Sequence, residues 1–579
     1  MIDLEEAIVV TRQAVKSNPE DHPDRAASLN NLGLKLGSRY GRIDEMADLE
    51  EAIVVTRQAV ESTPEDHPDR AGWLNRLGTS LEKRYDRVGE IADLEEAIVS
   101  TRQAVESTPE GHPARAHWLH SLGIGLERQY DRIAEIADLE EASKYLQDAW
   151  NCRTASPFHR VSAASMCLRL LASQRKFDAA AQLGEDVINL LPTVNTRLLN
   201  RSDLQSVIAT FVGIAADLCT ILLISNRPNG ALQYLEKGRA VIIGQLVDSR
   251  SDLSALAQQC PDTARRYEQL RDQVNKPLHS SNEHETETQV VSRRLEALGE
   301  LDACVQEVRG IAGQERFLLG QTTAEMQACS AGGTIVVVNI TKFGSHAILI
   351  SPTTINAISL PLLLAADAEA WLSKKWTGQV SKSAQRNKEY LKYLAWLWKV
   401  CVKKILDQIG CAHGTVGSLP RIWWIGTGLG SSMPFHAAGT YTPSSTENTI
   451  SRAISSYSPS IKALGYAQHR ARATDNTRSS LLIATMPNTT GQALHLDADP
   501  FPDLRCVADE KREVIDIMNG RMLIEALDSP SVDQVVNSLR GCSIAHFACH
   551  SLTNHTDPSS SGLVLQKRPG SRTGLADGK

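Results

Sequence analysis

Cysteine is missing from the first 151 residues of this 579-residue chain. The eleven cysteines beyond them form no Cys-x-x-Cys pair and no Cys/His cluster with the spacing of a zinc site. These absences argue against a disulfide framework and against a structural metal. An odd number of scattered cysteines is typical of a reducing compartment. We therefore expect a cytoplasmic protein that holds no metal and no cofactor.

Long apolar runs and a signal peptide are also missing. No run of about 18 apolar residues occurs, and the first residues, MIDLEEAIVV, carry acids where a signal peptide carries lysines. Charge of one sign is not in large excess, because the net charge is −7 and the charged residues form short runs of mixed sign. We therefore expect neither a nucleic acid nor a membrane as partner. The length predicts about two to four domains.

The motifs of two large enzyme classes are absent as well. The segment GTGLGSS (426–432) fits neither the phosphate loop nor the dinucleotide loop. No Gly-x-Ser-x-Gly elbow occurs, which argues against a serine hydrolase. Paired carboxylates are concentrated in DLEE segments, which we interpret as helix starts.

What the sequence does contain is a repeat of 45 residues. The phrase DLEEAIVVTRQAV begins at Asp3 and again at Asp48, a close variant begins at Asp93, and a weaker copy begins at Asp138. A second phrase, DHPDRA or GHPARA, recurs with the same period. A fixed period of this length is typical of stacked helical repeats.

Each repeat is predicted to form two helices. The first is expected to begin at Pro23, Pro68 or Pro113, because proline is tolerated in the first helical turn. The second is expected to begin at Asp48, with Glu51 completing a capping box three residues later.

Glycines at equivalent positions interrupt the first helix of each repeat. Gly33, Gly78 and Gly123 lie in the middle of the predicted helix, where glycine is unfavourable. We expect a close approach of the paired helix at these points. Trp73 and Trp118 are also equivalent, and they are interpreted either as core packing or as aromatic residues that bind a peptide.

The repeats resemble tetratricopeptide repeats of the longer-period kind. The resemblance rests on the Leu-Gly pair, on Ala52 and Ala97, and on Pro64 and Pro109 after the second helix. It covers residues 1–145 and implies a solenoid that binds a protein or peptide ligand in its repeat groove. Residues 146–275 are expected to be degenerate helical repeats. Residues 276–319 are expected to be a linker and a connecting helix, at roughly 291–310.

Short apolar runs replace the amphipathic helices after residue 320. Strands are predicted at TIVVVNI (334–340), HAILI (346–350), RIWWIGT (421–427), SLLIATM (480–486), RMLIEAL (521–527) and CSIAHFA (542–548). Helical segments separate several of them, which predicts an α/β domain with a mostly parallel sheet. Chemistry is expected at the carboxyl ends of its strands.

Four phrases in this region resemble the CHAT domain, a caspase- and separase-like cysteine-peptidase domain. They are VVVNI (336–340), RIWWIGTGLGSSMPFHAAGTY (421–441), ISSYSPSIKALGYA (454–467), and HFACH (546–550) followed by SGLVL (561–565). The resemblance covers residues 320–579 and implies a caspase-like sheet. It also implies acyl transfer in which an imidazole activates a cysteine thiolate.

The histidine that matches the catalytic position of the family is His550. Ser551 stands where the family has a glycine whose backbone N–H contributes to the oxyanion site. The 29 residues after His550 contain no cysteine, so the dyad lacks its nucleophile and the sheet is expected to be incomplete. We therefore interpret the chain as a C-terminally truncated or inactive form of a cysteine endopeptidase. The alternative is a protein-interaction scaffold with no peptidase role, and the oligomeric state stays open.

Other sulfur and imidazole groups of this region are given lesser roles. Cys549 adjoins His550, but neighbouring side chains on a strand point to opposite faces, so it is expected to be a structural thiol. His546 is expected to pack within its strand, and His436 either packs or lines a pocket. Cys506 and Cys542 are expected to be buried.

Overall fold

The structure is a computed structural model. It describes residues 2–19, 22, 24–190, 201–243, 252–275, 287–315, 317–319, 321–374, 376, 383–410, 419–442, 445–473, 480–488, 503–504, 506–552 and 561–566. The chain divides into two compact units, Met1–Lys462 and Ala463–Lys579. Among the described residues, no helix is long and apolar enough to cross a membrane.

The repeated sequence forms paired helices with the predicted period. They are α1 (Ile2–Ser17), α2 (Arg25–Ile43), α3 (Met46–Glu61), α4 (Arg70–Val88), α5 (Ile91–Glu106), α6 (Arg115–Ile133) and α7 (Ile136–Asn151). The first helices of successive repeats begin 45 residues apart, and so do the second helices. The apolar face of each helix is buried against its neighbours, with Leu36, Leu81 and Leu126 at most 1% exposed.

The first helix of each repeat begins two residues later than predicted. In the second repeat, the backbone N–H of Arg70 donates to the carbonyl of His67 at 3.1 Å, and that of Asp69 donates to Nδ1 of His67 at 3.2 Å. Pro68 therefore lies inside a four-residue turn, a position that suits its fixed φ angle. The prediction that proline opens the helix is wrong, because the preceding histidine closes a turn around it.

The predicted capping box at Asp48 and Glu51 is also wrong. Helix α3 begins at Met46, and Asp48 is buried within its first turn. Its carboxylate accepts from Nε of Arg39 at 2.7 Å and from Nη2 at 2.5 Å, while Glu51 pairs with Arg12. A bidentate guanidinium is a stronger partner for a carboxylate than a neutral backbone N–H. Equivalent pairs recur along the array: Arg84–Asp93 and Arg57–Glu96 one period later, and Arg102–Glu141 two periods later.

The expected close approach at the repeat glycines is confirmed. A Cβ added to Gly78 would lie 3.0 Å from the carbonyl oxygen of Ala97 and would collide with the hydroxyl of Thr101. A Cβ on Gly123 would lie 2.6 Å from Cγ of Leu146. The paired helices therefore touch through these glycines.

Helices continue through the predicted degenerate repeats. They are α8 (Pro157–Ser173), α9 (Phe177–Asn189), α10 (Arg201–Ile224), α11 (Pro228–Ile243), α12 (Asp252–Gln259), α13 (Pro261–Asn275), α14 (Glu287–Arg309) and α15 (Thr323–Ala328). Helix α14 is the predicted connecting helix, and it begins four residues earlier than expected. Most of the predicted linker, residues 276–286, lies outside the described residues.

A five-stranded sheet completes the first unit. Its strands are β1 (Thr334–Thr341), β2 (Gly344–Ile350), β3 (Ile355–Ser359), β4 (Arg421–Gly428) and β5 (Ile454–Tyr457), in the order β3-β2-β1-β4-β5. Strands β1, β4 and β5 are parallel to one another. Strand β2 is antiparallel to both of its neighbours, β1 and β3. Between β3 and β4 lie α16 (Ala365–Leu372), α17 (Ser383–Leu397), a π-helical turn (Trp398–Val402) and α18 (Lys403–Ile409). Trp424 and Phe435 are fully buried in the core that these elements share.

The second unit contains a separate three-stranded sheet. Its strands are β6 (Ser480–Thr485), β7 (Leu523–Asp528) and β8 (Ile544–Ala548), in the order β7-β6-β8 and all parallel. Helix α19 (Ile461–Ala473) precedes β6, while α20 (Val507–Met518) and α21 (Val532–Leu539) precede β7 and β8. The short strands β9 (Ser551–Leu552) and β10 (Gly562–Leu563) follow. Strands β9 and β10 pair only with each other and are antiparallel. Parallel pairing therefore predominates, as expected, although the strands of the described residues divide among three sheets.

Candidate functional site

The three successive first helices α2, α4 and α6 line a groove with a volume of about 1350 Å³. Both tryptophans of the repeats contribute to it. Trp73 is 6% exposed, belongs to the core of the first repeats and stacks on His67 with 5.5 Å between ring centroids. Trp118 is half-buried and packs against the same core. Both tryptophans therefore pack in the core and also border the groove.

Several polar atoms along this groove are buried without a hydrogen-bond partner among the described residues. The acceptors are Oδ1 of Asn30 and Oδ1 of Asn75, and the donors are Nε of Arg76 and Nε1 of Trp118. A buried polar group without a partner costs about 1–3 kcal/mol. Such groups side by side in one groove favour a ligand that supplies their missing partners.

The segment GTGLGSS needs its glycines for packing at the end of β4. A Cβ on Gly426 would collide with the carbonyl of Gly430, and Gly428 has a φ of 53°, which L side chains rarely adopt. A 3₁₀ turn (Leu429–Ser432) follows directly. The tight turn explains these glycines without a nucleotide.

His436 lies in the next 3₁₀ turn (Phe435–Ala437) and is held by the tyrosine that ends β5. The hydroxyl of Tyr457 accepts from the backbone N–H of His436 at 3.0 Å and lies 3.0 Å from its Nδ1. Which of these two groups donates depends on the tautomer of His436, because a hydroxyl can both donate and accept. Burial lowers the pKa of His436, which favours the neutral ring. The ring is exposed and remains a candidate for lining a site.

Helices α10 and α11 are joined to the five-stranded sheet by buried polar contacts. Nδ2 of Asn339 on β1 donates to the carbonyl of Ala216 at 2.8 Å and to the hydroxyl of Thr220 at 3.0 Å. Oδ1 of Asn339 accepts from the hydroxyl of Thr427 on β4 at 2.5 Å. Asn339 is completely buried, so one side chain connects α10 with two parallel strands near their carboxyl ends.

Helix α11 makes a second connection. Nη1 of Arg239 donates to the carbonyl of Gly426 at 3.0 Å, and Nη2 donates to the carbonyl of Pro459. Glu236 accepts from the backbone N–H of Ile461 at 2.7 Å, and burial raises its pKa. The helical region therefore contacts the carboxyl-terminal part of β4 and the segment that follows β5.

His550 follows β8, at the carboxyl end of a parallel strand. Its carbonyl accepts from the backbone N–H of Val564 at 2.8 Å. Ser551 begins β9 and pairs with Leu563, so its backbone is extended and accommodates a Cβ. The sequence therefore placed His550 correctly at a strand end, while its catalytic role stays a prediction.

Comparison with family models finds two matches. The CHAT domain model matches residues 391–578, and a tetratricopeptide repeat model matches residues 25–69. The chain joins tetratricopeptide repeats to a CHAT domain. The expected domain limits, including a start of the CHAT domain at residue 320, stay a prediction.

Two solved structures are similar to part of this chain. A Podosopora anserina protein, described as a kinesin light chain with nearly identical TPR-like repeats, is 18% identical over 39% of this chain and 98% of its own, with a TM-score of 0.28. BtubC (BKLC) from P. vanneervenii is 14% identical over 42% of this chain and 92% of its own, with a TM-score of 0.32. No curated protein matches the chain.

Within the CHAT region, Cys549 is half-buried and packs against apolar side chains. Cys549 and Phe547 contact the apolar cluster of Ala484, Met486, Val535 and Leu565. Burial raises the pKa of the Cys549 thiol, so the sulfur is held in its protonated, weakly nucleophilic form. This packing agrees with a structural thiol.

Two expectations for neighbouring residues are wrong. Nε2 of His546 lies 2.9 Å from Oε1 of Glu510 on α20, so this histidine contacts a carboxylate rather than the interior of its strand. Cys506 is exposed, because it immediately precedes α20 at the surface, and Cys542 is only half-buried. Strand β8 lies at the edge of its sheet, so the side chain of His546 on this strand is partly exposed.

Sequence reasoning missed the polar atoms of the groove and the contacts of Asn339. The sequence contains one indication of the polar atoms of the groove, because Arg76 occupies the position that Asn31 and Ser121 hold in the neighbouring repeats. The contacts of Asn339 leave no local pattern in the sequence, since Asn339 and Thr220 are far apart along the chain.

Proposed function

We propose that this chain is a protein-binding scaffold whose tetratricopeptide groove takes up an extended segment of a partner protein. The observation that carries the proposal is the row of buried, unpaired polar atoms along the groove, above all Oδ1 of Asn30 and Oδ1 of Asn75. An extended peptide offers a backbone N–H at regular intervals, which suits two acceptors on successive repeats.

The proposed binding can be tested by selection of a random peptide display library on the full chain. We expect the wild-type chain to enrich a peptide motif and the double variant Asn30→Ala/Asn75→Ala to lose it. Asn356→Ala is a matched control, because Asn356 is an exposed asparagine on β3. Selection of the same motif by the double variant would contradict binding in the groove.

The CHAT domain is proposed to carry a peptidase-type imidazole, His550, without turning over peptides in this 579-residue polypeptide. One observation supports this: the sulfur of Cys549, the residue next to His550, packs against an apolar cluster. Acyl transfer by this mechanism needs a thiolate within reach of the imidazole. The cytoplasm is the proposed compartment, because scattered cysteines in odd number suit reducing conditions.

Peptide hydrolysis is the direct test of the inactive state. The wild-type chain, His550→Ala and Cys549→Ser should all leave a peptide library uncut under reducing conditions, with an active cysteine peptidase as positive control. Cleavage by the wild-type chain that disappears in His550→Ala would contradict the proposal. A parallel loss in Cys549→Ser would identify that sulfur as the nucleophile.

A further inference from the structure

One cation on the floor of the groove has no carboxylate partner among the described residues. Arg76 on α4 is half-buried, its Nε is buried without a hydrogen-bond acceptor, and no ion pair neutralises it. Burial lowers its pKa because the guanidinium has lost water without gaining an opposite charge. By contrast, Arg84 on the same helix has a bidentate partner in Asp93.

The repeat itself indicates that this arginine is not required by the fold. The equivalent residues in the first and third repeats are Asn31 and Ser121, and both helices form without an arginine there. The acids that border the groove, Glu65, Asp66 and Asp69, lie in the exposed turn before α4. An unpaired charge in the middle repeat is therefore a local feature of the groove.

Three uncharged side chains line the groove together with Arg76: Asn75, His117 and Trp118. Burial, with a smaller contribution from the charge of Arg76, lowers the pKa of His117 to about 4, so its ring is uncharged near neutrality. Nε1 of Trp118 is an unused donor. A Cβ on Gly72 would lie in ordinary contact with Cζ2 and Cη2 of Trp118, at 3.9 Å, so Gly72 borders the indole. Oδ1 of Asn75, next to Arg76, is an unused acceptor.

We propose that the groove selects peptides with an acidic side chain, whose carboxylate pairs with Arg76 and accepts from Nε1 of Trp118. Oδ1 of Asn75 accepts a backbone N–H of the same segment. The inference rests on the proposed peptide-binding function and adds the chemical class of the ligand. A carboxylate supplies the charge that Arg76 lacks, and charge-assisted hydrogen bonds are the stronger ones.

The test compares peptides selected from a random display library by the full-length wild-type chain and by Arg76→Asn, the residue of the first repeat. We expect one position of the wild-type motif to be Asp or Glu, and that preference to disappear in Arg76→Asn while peptide binding persists. Replacing that Asp or Glu by Asn or Gln in the selected peptide should weaken binding about ten- to a hundred-fold to the wild-type chain. The matched control is Arg87→Asn, because Arg87 is an exposed arginine of the same helix.

The outcomes separate this inference from the proposed function. Failure of the wild-type chain to enrich any motif contradicts peptide binding itself. A motif without an acidic position, or an acidic preference unchanged in Arg76→Asn, contradicts only the role of Arg76. Inorganic polyphosphate that competes as strongly as the peptide shows a general anion site and also overturns the inference. The peptide-side substitution decides the question even if Arg76→Asn does not fold.

Discussion

At the scale of single residues, the carboxylates of the DLEE phrase are linking groups between helices. Asp93 is buried and receives two hydrogen bonds from Arg84, 2.8 Å from Nε and 2.5 Å from Nη2. Glu96 in the same phrase pairs with Arg57 of the preceding repeat. One phrase therefore connects its helix both to the paired helix of its own repeat and to the preceding repeat.

The buried pair predicts a clear loss of stability when its cation is removed. Arg84→Ala leaves the Asp93 carboxylate, whose side chain is 5% exposed, without a counter-charge. We expect the free energy of unfolding to fall by about 3 kcal/mol, measured by urea unfolding of the full chain followed by helix content.

The control is an exposed arginine on the same helix. Arg87 pairs with Asp44 at 3.1 Å, with side chains 54% and 61% exposed. Arg87→Ala should cost less than about 1 kcal/mol, because water screens the pair. Equal losses in both variants would show that burial of Asp93 does not decide the effect.

At the scale of elements, the glycines of the first helices set the distance between paired helices. Gly78→Ala places a methyl group against the carbonyl of Ala97 and the hydroxyl of Thr101. We expect it to destabilise the repeat array by about 1–3 kcal/mol in urea unfolding, because α4 and α5 must separate. Gly213→Ala on α10 is the matched control, since nothing lies within 4 Å of its added Cβ. It should stabilise by up to about 1 kcal/mol through helix propensity, and a loss there would contradict the packing argument.

The elements show which parts of the fold are readable from sequence. Apolar periodicity located the paired helices and the strands β1, β2, β4, β6, β7 and β8, because burial of one face leaves a regular pattern. It missed β3 and β5, which are five and four residues long and mostly not buried. Helix starts were wrong where a side chain intervened, through the His67 turn and the Arg39–Asp48 pair. The division of the described strands into three sheets was not predictable, because strand pairing depends on contacts between residues far apart in the sequence.

The candidate sites were readable to different degrees for similar reasons. His550 was found because it belongs to a continuous phrase at a strand end. The contact of His546 with Glu510 was missed, since it joins a strand to a helix more than thirty residues away. The groove could be expected from the repeats, but its unpaired atoms emerge only when successive helices are placed side by side.

At the scale of the whole molecule, helices and sheet of the first unit are joined through a polar core. Asn339, Thr220 and Thr427 are buried and hydrogen-bonded to one another between α10, β1 and β4. Arg239 and Glu236 add contacts from α11 to the ends of β4 and β5. Because a buried polar group must keep its partners, these contacts couple the array to the sheet more tightly than apolar packing alone.

This coupling predicts that removal of the Asn339 side chain lowers the protection of amide hydrogens against exchange in α10, β1 and β4 together. Asn339→Ala removes the hydrogen bonds to the carbonyl of Ala216 and to the hydroxyls of Thr220 and Thr427. The two hydroxyls keep Thr341 and the carbonyl of Val338 as partners, so we expect a loss of about 1–3 kcal/mol in all. Amide hydrogen exchange on the full chain should therefore accelerate in α10 as well as in β1 and β4. Asn356→Ala, at an exposed position of β3 in the same sheet, should leave all three elements unchanged. Faster exchange confined to β1 and β4 would mean that α10 is held by its helical neighbours alone, and that the array and the sheet open independently.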